Sequence, residues 1–166
     1  VILDSDLKLD PDYLHKLNKS LQTNKFDSFG GPDRAHPTFT PIQKALDFVL
    51  TSVITTGGIR GNVKHLGNFY PRSFNMGLSR RVYQRTHGIK LPYLGEDLEL
   101  CRRITSLRFT SGLSPEAYVY HKRKNSFRSF FKQMIFFGRA GINVFKLFPD
   151  TLKLVHILPS LFVIYS

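Results

Sequence analysis

Cysteine is almost absent from this chain, with Cys101 standing alone. Without a second thiol, neither an intrachain disulfide framework nor a Cys-based zinc site can form. Acidic residues are scarce too, 12 against 24 Lys and Arg, which leaves a formal charge of +12 at pH 7. The imbalance is concentrated, because residues 121–153 hold eight Lys or Arg against the single acid Asp150. A block of that kind points to nucleic acid, anionic lipid or a phosphorylated substrate. The glycine-rich stretch 57–67 carries Arg60, Lys64 and His65 but lacks the Lys-Ser/Thr pair of a Walker loop, so that class of phosphate cradle is excluded. No apolar run reaches the ~20 residues that a membrane crossing needs. Against these absences, 166 residues with 42% hydrophobic and 22% charged content are enough for one domain with a real core.

The chain opens on Val1-Ile2-Leu3, three β-formers that run into Asp4-Ser5-Asp6. A continuous apolar triplet predicts a buried strand of a parallel sheet, covered on both faces. Asp4 and Asp6 then sit at its C-terminal end, the edge where open α/β sheets bind ligands. Two hard oxygen donors there suit a divalent cation that holds a phosphorylated substrate. The competing reading is an Asp-rich turn.

Further along, Asp10 and Pro11 predict a helix start with Leu14, Leu17 and Leu21 on its inward face. Residues 26–29 suit a short strand, and Gly30-Gly31-Pro32-Asp33-Arg34 reads as a turn, either an ordinary one or one that brings Arg34 to a phosphate. Thr40 and Pro41 open a helix with a core stripe of Ile42, Ala45, Leu46, Val49, Leu50 and Val53. Residues 74–78 suit a strand, after which Ser79 caps a helix carrying Arg80 and Arg81, which read as solvated charges or as contacts to an anionic group. Glu96 and Asp97 fall on the first turn of another helix, where the dipole favours negative charge. Residues 107–109 and 117–120 read as strands joined by a Ser-Gly turn. Residues 125–148 crowd Phe127, Phe130, Phe131, Met134, Ile135, Phe136 and Phe137 together, with Gly138 and Gly141 as points of bending or interruption. At about 100° per residue, Arg128, Lys132, Arg139 and Lys146 fall within about 40° of one another. That is the pattern of a helix lying in a membrane interface, or of a packed helix with a solvated basic edge. The apolar end, residues 152–166, looks like the beginning of a transmembrane helix, and basic residues before it would place the rest on the cytoplasmic side.

Four short motifs occur in a telling order: Asp4-Ser5-Asp6, Asn75-Met76-Gly77 before Ser79-Arg80-Arg81, Gly95-Glu96-Asp97, and Val119-Tyr120-His121 before the basic aromatic stretch. Together they resemble the signature of family-2 inverting glycosyltransferases of the GT-A fold. The resemblance implies an α/β fold, a mixed sheet flanked by helices that forms part of a GT-A domain, with the N-terminal nucleotide-binding βαβ half missing from this chain. Residues 1–121 would be its metal and acceptor half, 122–148 membrane-interface helices, and 149–166 the start of a truncated transmembrane helix.

The same resemblance implies the chemistry. Asp4 and Asp6 would hold Mg²⁺ or Mn²⁺ against the donor diphosphate, with His121 as a third ligand or a diphosphate contact; a lone histidine is otherwise a satisfied or solvated residue. Asp97 would be the general base that activates an acceptor hydroxyl, and Glu96 would orient the acceptor or the base. Arg34, Arg80 and Arg81 are carried as donor- or acceptor-binding residues. So are Gln133 and Arg139, the counterparts of the family's processive Gln-x-x-Arg-Trp motif. They are too far apart for it, and the chain has no tryptophan, which speaks against polymer synthesis. The expected partners are a nucleotide diphosphate sugar, a glycan or lipid-linked acceptor and a membrane surface, in envelope glycan or glycolipid synthesis. A non-enzymatic basic module that binds anionic lipid or nucleic acid is the rival reading. Nucleic acid is the weaker of its two ligands, since the aromatics lie on a helix leading to an apolar tail rather than along an exposed groove.

Overall fold

The computed structural model describes residues 1–52, 69–91 and 94–151. The glycine-rich stretch 57–67, Val53 and the apolar end 152–166 lie outside the described residues. In chain order the elements are β1 (Ile2–Leu3), β2 (Leu7–Leu9), α1 (Tyr13–Thr23), β3 (Ser28–Gly30), β4 (Asp33–Arg34), α2 (Pro41–Thr51), β5 (Asn75–Leu78), α3 (Arg80–Thr86), α4 (Glu96–Ser106), β6 (Ser111–Leu113), β7 (Val119–His121) and α5 (Phe127–Leu147), followed by a 3₁₀ turn at Pro149–Thr151. The architecture is mixed α/β, with two mixed sheets flanked by helices. One sheet has the order β1-β5-β3-β6 and the other β2-β7-β4.

The first strand departs from expectation. β1 is antiparallel to β5 and lies at the sheet edge, with Val1 66% and Leu3 38% exposed, so it is not a parallel strand covered on both faces. Three apolar residues cannot distinguish an edge strand from a central one, because burial of so short a run is set by its neighbours. The parallel pairings lie elsewhere, between β3 and β6 and between β4 and β7. Residues 107–109 do not form a strand either. Arg108 takes a left-handed φ of 61°, and the Phe109 N–H closes back on the Ile104 carbonyl at 3.1 Å, which ends α4. Ser111 and Gly112, read as a turn, belong to β6 instead. A Cβ on Gly112 would lie 2.1 Å from the Phe26 ring, so glycine is required there for packing rather than for turning.

The helices fit the sequence better, with shifts in phase. Asp10 accepts from the Asp12 N–H at 3.0 Å in an Asx turn, and α1 starts later, at Tyr13. Its inward face is Tyr13 and Leu17, while Leu14 is 72% exposed. Thr40 and Gln43 form a reciprocal capping box on α2, and Leu46 and Leu50 are buried as the stripe requires, but Ile42, Ala45 and Val49 are exposed. Helix α5 runs unbroken through Gly138 and Gly141, which face open space.

Two apolar clusters hold the sheets and helices together. Tyr13, Leu17, Phe29, Phe74, Ala117 and Val119 fix α1 between the sheets. Met76, Val82, Leu100, Cys101 and Ile104 fix α3 and α4 on the first sheet. The buried polar seam beside the first cluster is fully paired at its centre. The Tyr13 hydroxyl donates to Asn75 Oδ1 at 2.6 Å, and Asn75 Nδ2 donates to the Ala117 carbonyl at 2.8 Å.

Candidate metal and catalytic site

Backbone pairing assembles the first half of the site. The Asp4 N–H donates to the Phe74 carbonyl at 3.3 Å just beyond β1, and the chain turns through Asp6 into β2. There Leu7 lies in register with His121 at the end of β7. The consequence is that one ligand atom each from Asp4, Asp6 and His121 lies within 4.8 Å of the others. His121 Nε2 stands 3.4 Å from Asp6 Oδ1. Donor atoms around an octahedral ion with ~2.1 Å bonds are roughly 3–4 Å apart, so small side-chain adjustments would close this trio on a cation. Two carboxylates suit Mg²⁺ or Mn²⁺, and the imidazole tilts the set toward the transition metal. The three residues read as metal ligands from the sequence are therefore brought together.

Behind His121 lies an ion network that no local sequence signal marks. Arg123, only 6% exposed within the basic run, turns inward, forms an ion pair with Asp33 Oδ2 at 2.7 Å and donates to Asp47 Oδ1 at 2.7 and 2.9 Å. Its carbonyl accepts from the Gln43 side chain at 2.9 Å. Burial raises the Asp47 carboxyl above its usual range, and the Arg123 charge opposes that rise. A solvated arginine in a basic run and a buried one look alike in sequence. The register of β7 and β4 decides between them.

The second half of the site is the N-terminus of α4. Gly95 caps it with φ of 99°, and its N–H donates to Glu96 at 3.1 Å. Asp97 accepts from the Leu98 N–H at 2.8 Å and from the Arg72 guanidinium at 3.2 Å. Arg72 was not marked as a candidate by its sequence context, which offers no motif around it. Beneath this turn Cys101 is buried against the Pro71 carbonyl, and its thiol is pushed up to about 12 by burial and then by the Asp97 charge. One short segment touches both groups. Arg72 holds Asp97, while two residues later Phe74 holds the Asp4 backbone and packs its ring 5.3 Å from that of His121.

The remaining candidates lie elsewhere. Arg34 stacks its guanidinium 4.0 Å from the centre of the Tyr118 ring and is in register with Tyr120, so it lies on the sheet face opposite His121. Arg80 is exposed on α3, and Arg81 reaches Asp27 at 3.7 Å and covers Phe109. Gln133 is half-buried and Arg139 exposed on α5. No helix among the described residues is long and apolar enough to cross a membrane. On α5, however, Phe127, Phe131, Ile135, Ile142 and Phe145 are exposed and share an arc of about 80° at ~100° per residue; Phe136, Phe137 and Leu147 are exposed as well, outside that arc. The exposed basic stripe of Arg128, Lys132, Arg139 and Lys146 lies beside that arc. Comparison with known protein families and with curated proteins finds no match to this chain.

Proposed function

We propose that the chain belongs to a metal-dependent inverting glycosyltransferase that works at an anionic membrane surface. The observation that carries this reading is the convergence of Asp4, Asp6 and His121 within 4.8 Å of one another. The segment from Arg72 to Phe74 ties that trio to Asp97. A bound Mg²⁺ or Mn²⁺ would neutralise diphosphate charge as the leaving group departs. In this reading Asp97 takes the proton of an acceptor hydroxyl, whose oxygen then bonds to the anomeric carbon of a nucleotide diphosphate sugar as the carbon–oxygen bond to the diphosphate breaks. Arg72 fixes the direction of the Asp97 carboxylate. Glu96, folded back on the Gly95 N–H, shapes the turn that presents it. The exposed apolar arc and basic stripe of α5 support a membrane-held acceptor, glycan or lipid-linked, and fit it better than nucleic acid.

Calorimetry of the full-length protein with a nucleoside diphosphate, with and without Mn²⁺, tests the proposal. Mn²⁺-dependent binding should be present in the wild type and lost in Asp6→Ala. Retention of that metal-dependent binding by Asp6→Ala would remove the assignment.

A further inference from the structure

The two ring nitrogens of His121 face two different carboxylates. Nε2 points to Asp6 at 3.4 Å, on the side of the exposed Asp4–Asp6 turn. Nδ1 is buried and makes no hydrogen bond among the described residues; Asp33 Oδ2 stands 3.6 Å from it, on a side chain with no exposure at all. From this geometry we infer that Asp33 is a positioning residue, which takes the Nδ1–H of His121 and so turns the Nε2 lone pair toward Asp4 and Asp6.

A neutral imidazole carries one N–H and one lone pair. With the proton on Nε2, the Nδ1 lone pair would face a buried carboxylate with no donor between them, an unfavourable arrangement. With the proton on Nδ1, that buried atom gains an acceptor and the outward nitrogen is left free to bind a cation. The contact is longer than a hydrogen bond, and closing it takes a shift of under ~1 Å. Asp33 is well held for the task. It sits on β4, in parallel register beside β7, and the same Oδ2 is paired with the Arg123 guanidinium at 2.7 Å. Arg123 is in turn gripped by Asp47 and Gln43 of α2, and the Phe74 ring lies against the imidazole. A carboxylate oxygen has room for two donors. Such outer carboxylates fix the tautomer and orientation of metal-binding histidines. The consequence for metal affinity rests on the reading of Asp4, Asp6 and His121 as ligands; the tautomer does not.

Long-range ¹H–¹⁵N correlation spectra of ¹⁵N-histidine-labelled protein, taken at alkaline pH where imidazoles are neutral, read the tautomer directly, with His121→Gln identifying the signal. The wild type should show His121 as the Nδ1–H form, and an Nε2–H form there overturns the inference without need of any Asp33 variant. In Asp33→Asn the preference should be lost, and Mn²⁺ affinity, measured from the free-ion paramagnetic resonance signal, should fall roughly 10–100-fold. Asp47→Asn weakens the Arg123 anchor but leaves the Asp33–His121 contact, so it should keep both tautomer and affinity. Equal loss in Asp33→Asn and Asp47→Asn would reduce Asp33 to a structural role and overturn the inference. If the tautomer follows Asp33 while the wild type binds no Mn²⁺, the orientation stands and the metal reading alone falls.

Discussion

Two carboxylates with contrasting surroundings carry separate predictions. Asp97 is paired with Arg72 through one oxygen and with the Leu98 N–H through the other. Asparagine keeps the shape and most of the hydrogen bonding but cannot take a proton. Asp97→Asn should therefore bind nucleotide normally while turnover falls by about 10²–10⁴-fold, a split that steady-state kinetics and calorimetry would show together. Turnover near the wild-type rate would leave Asp97 a helix-terminal charge and move attention to Glu96. Asp10 has a structural role, because its carboxyl is held down to about 2 from an ordinary 3.8 by the hydrogen bond from Lys16 and then by that from the Tyr118 hydroxyl. A depressed carboxyl contributes stability above its unfolded value and loses it as pH falls through the folded one. The melting-temperature advantage of wild type over Asp10→Asn should thus be full near neutrality, shrink below about pH 4 and vanish near pH 2. An advantage unchanged at the acid end would mean that Asp10 acts through packing alone. Asp4, Asp6, Glu96 and Asp97 stand out in the sequence as candidates because short motifs mark them, and the structure gathers Asp4 and Asp6 with His121. Asp33, Arg72 and Arg123 were not, because each acquires its role only when a distant strand or helix is laid beside it.

At the level of elements, caps and turns were easier to read than strands. Thr40 and Ser79 cap the helices expected of them, since a hydroxyl before an apolar stripe is a local signal. Strands of two to four residues carry too little pattern to reveal partner or direction, so β1 was misread as parallel, β6 was displaced to residues 107–109, and β2 and β4 were not anticipated. The junction between α4 and α5 was equally hidden, and it rests on one glycine. Gly95 holds φ of 99°, and a Cβ there would lie 2.5 Å from Val144 Cγ2 and 3.1 Å from the Ala140 carbonyl. Gly95→Ala should cost on the order of 1–3 kcal/mol in backbone strain alone and push α5 off the turn that carries Glu96 and Asp97. Gly138→Ala on α5 is the control: its Cβ meets open space, and the change should stabilise by roughly 0.5–1 kcal/mol. Thermal unfolding of the two variants checks the pair, and hydrogen exchange along α5 should quicken only in the first. Equal responses would show that the close approach at Gly95 does not hold the helix.

Across the whole molecule, charge and apolar exposure coincide on α5, the helix that rests on the candidate catalytic turn through Val144 and Gly95. Phe127, Phe131 and Ile142 are 69%, 66% and 57% exposed, an arrangement that water disfavours unless another apolar phase covers it. If that phase is a membrane, the flanking Arg128, Lys132, Arg139 and Lys146 would favour an anionic one, with lipid headgroups meeting the cations and acyl chains the aromatics. In the proposed function, a membrane on this face would hold its acceptor near the turn that carries Asp97, against which α5 packs at Gly95. Flotation of the full-length protein with vesicles should show binding to anionic bilayers that weakens with salt and is much poorer on neutral ones. Replacing Phe131 and Ile142 together by serine removes two partly inserted side chains, worth about 2 kcal/mol in all, which is roughly a thirtyfold loss of partitioning. The charge-reversed variant Arg128→Glu with Lys132→Glu should lose the preference for anionic lipid while keeping its fold, because both side chains are exposed. If both double variants float as firmly as the wild type, α5 is not a membrane-binding surface, and the proposal of a membrane-held acceptor loses its support.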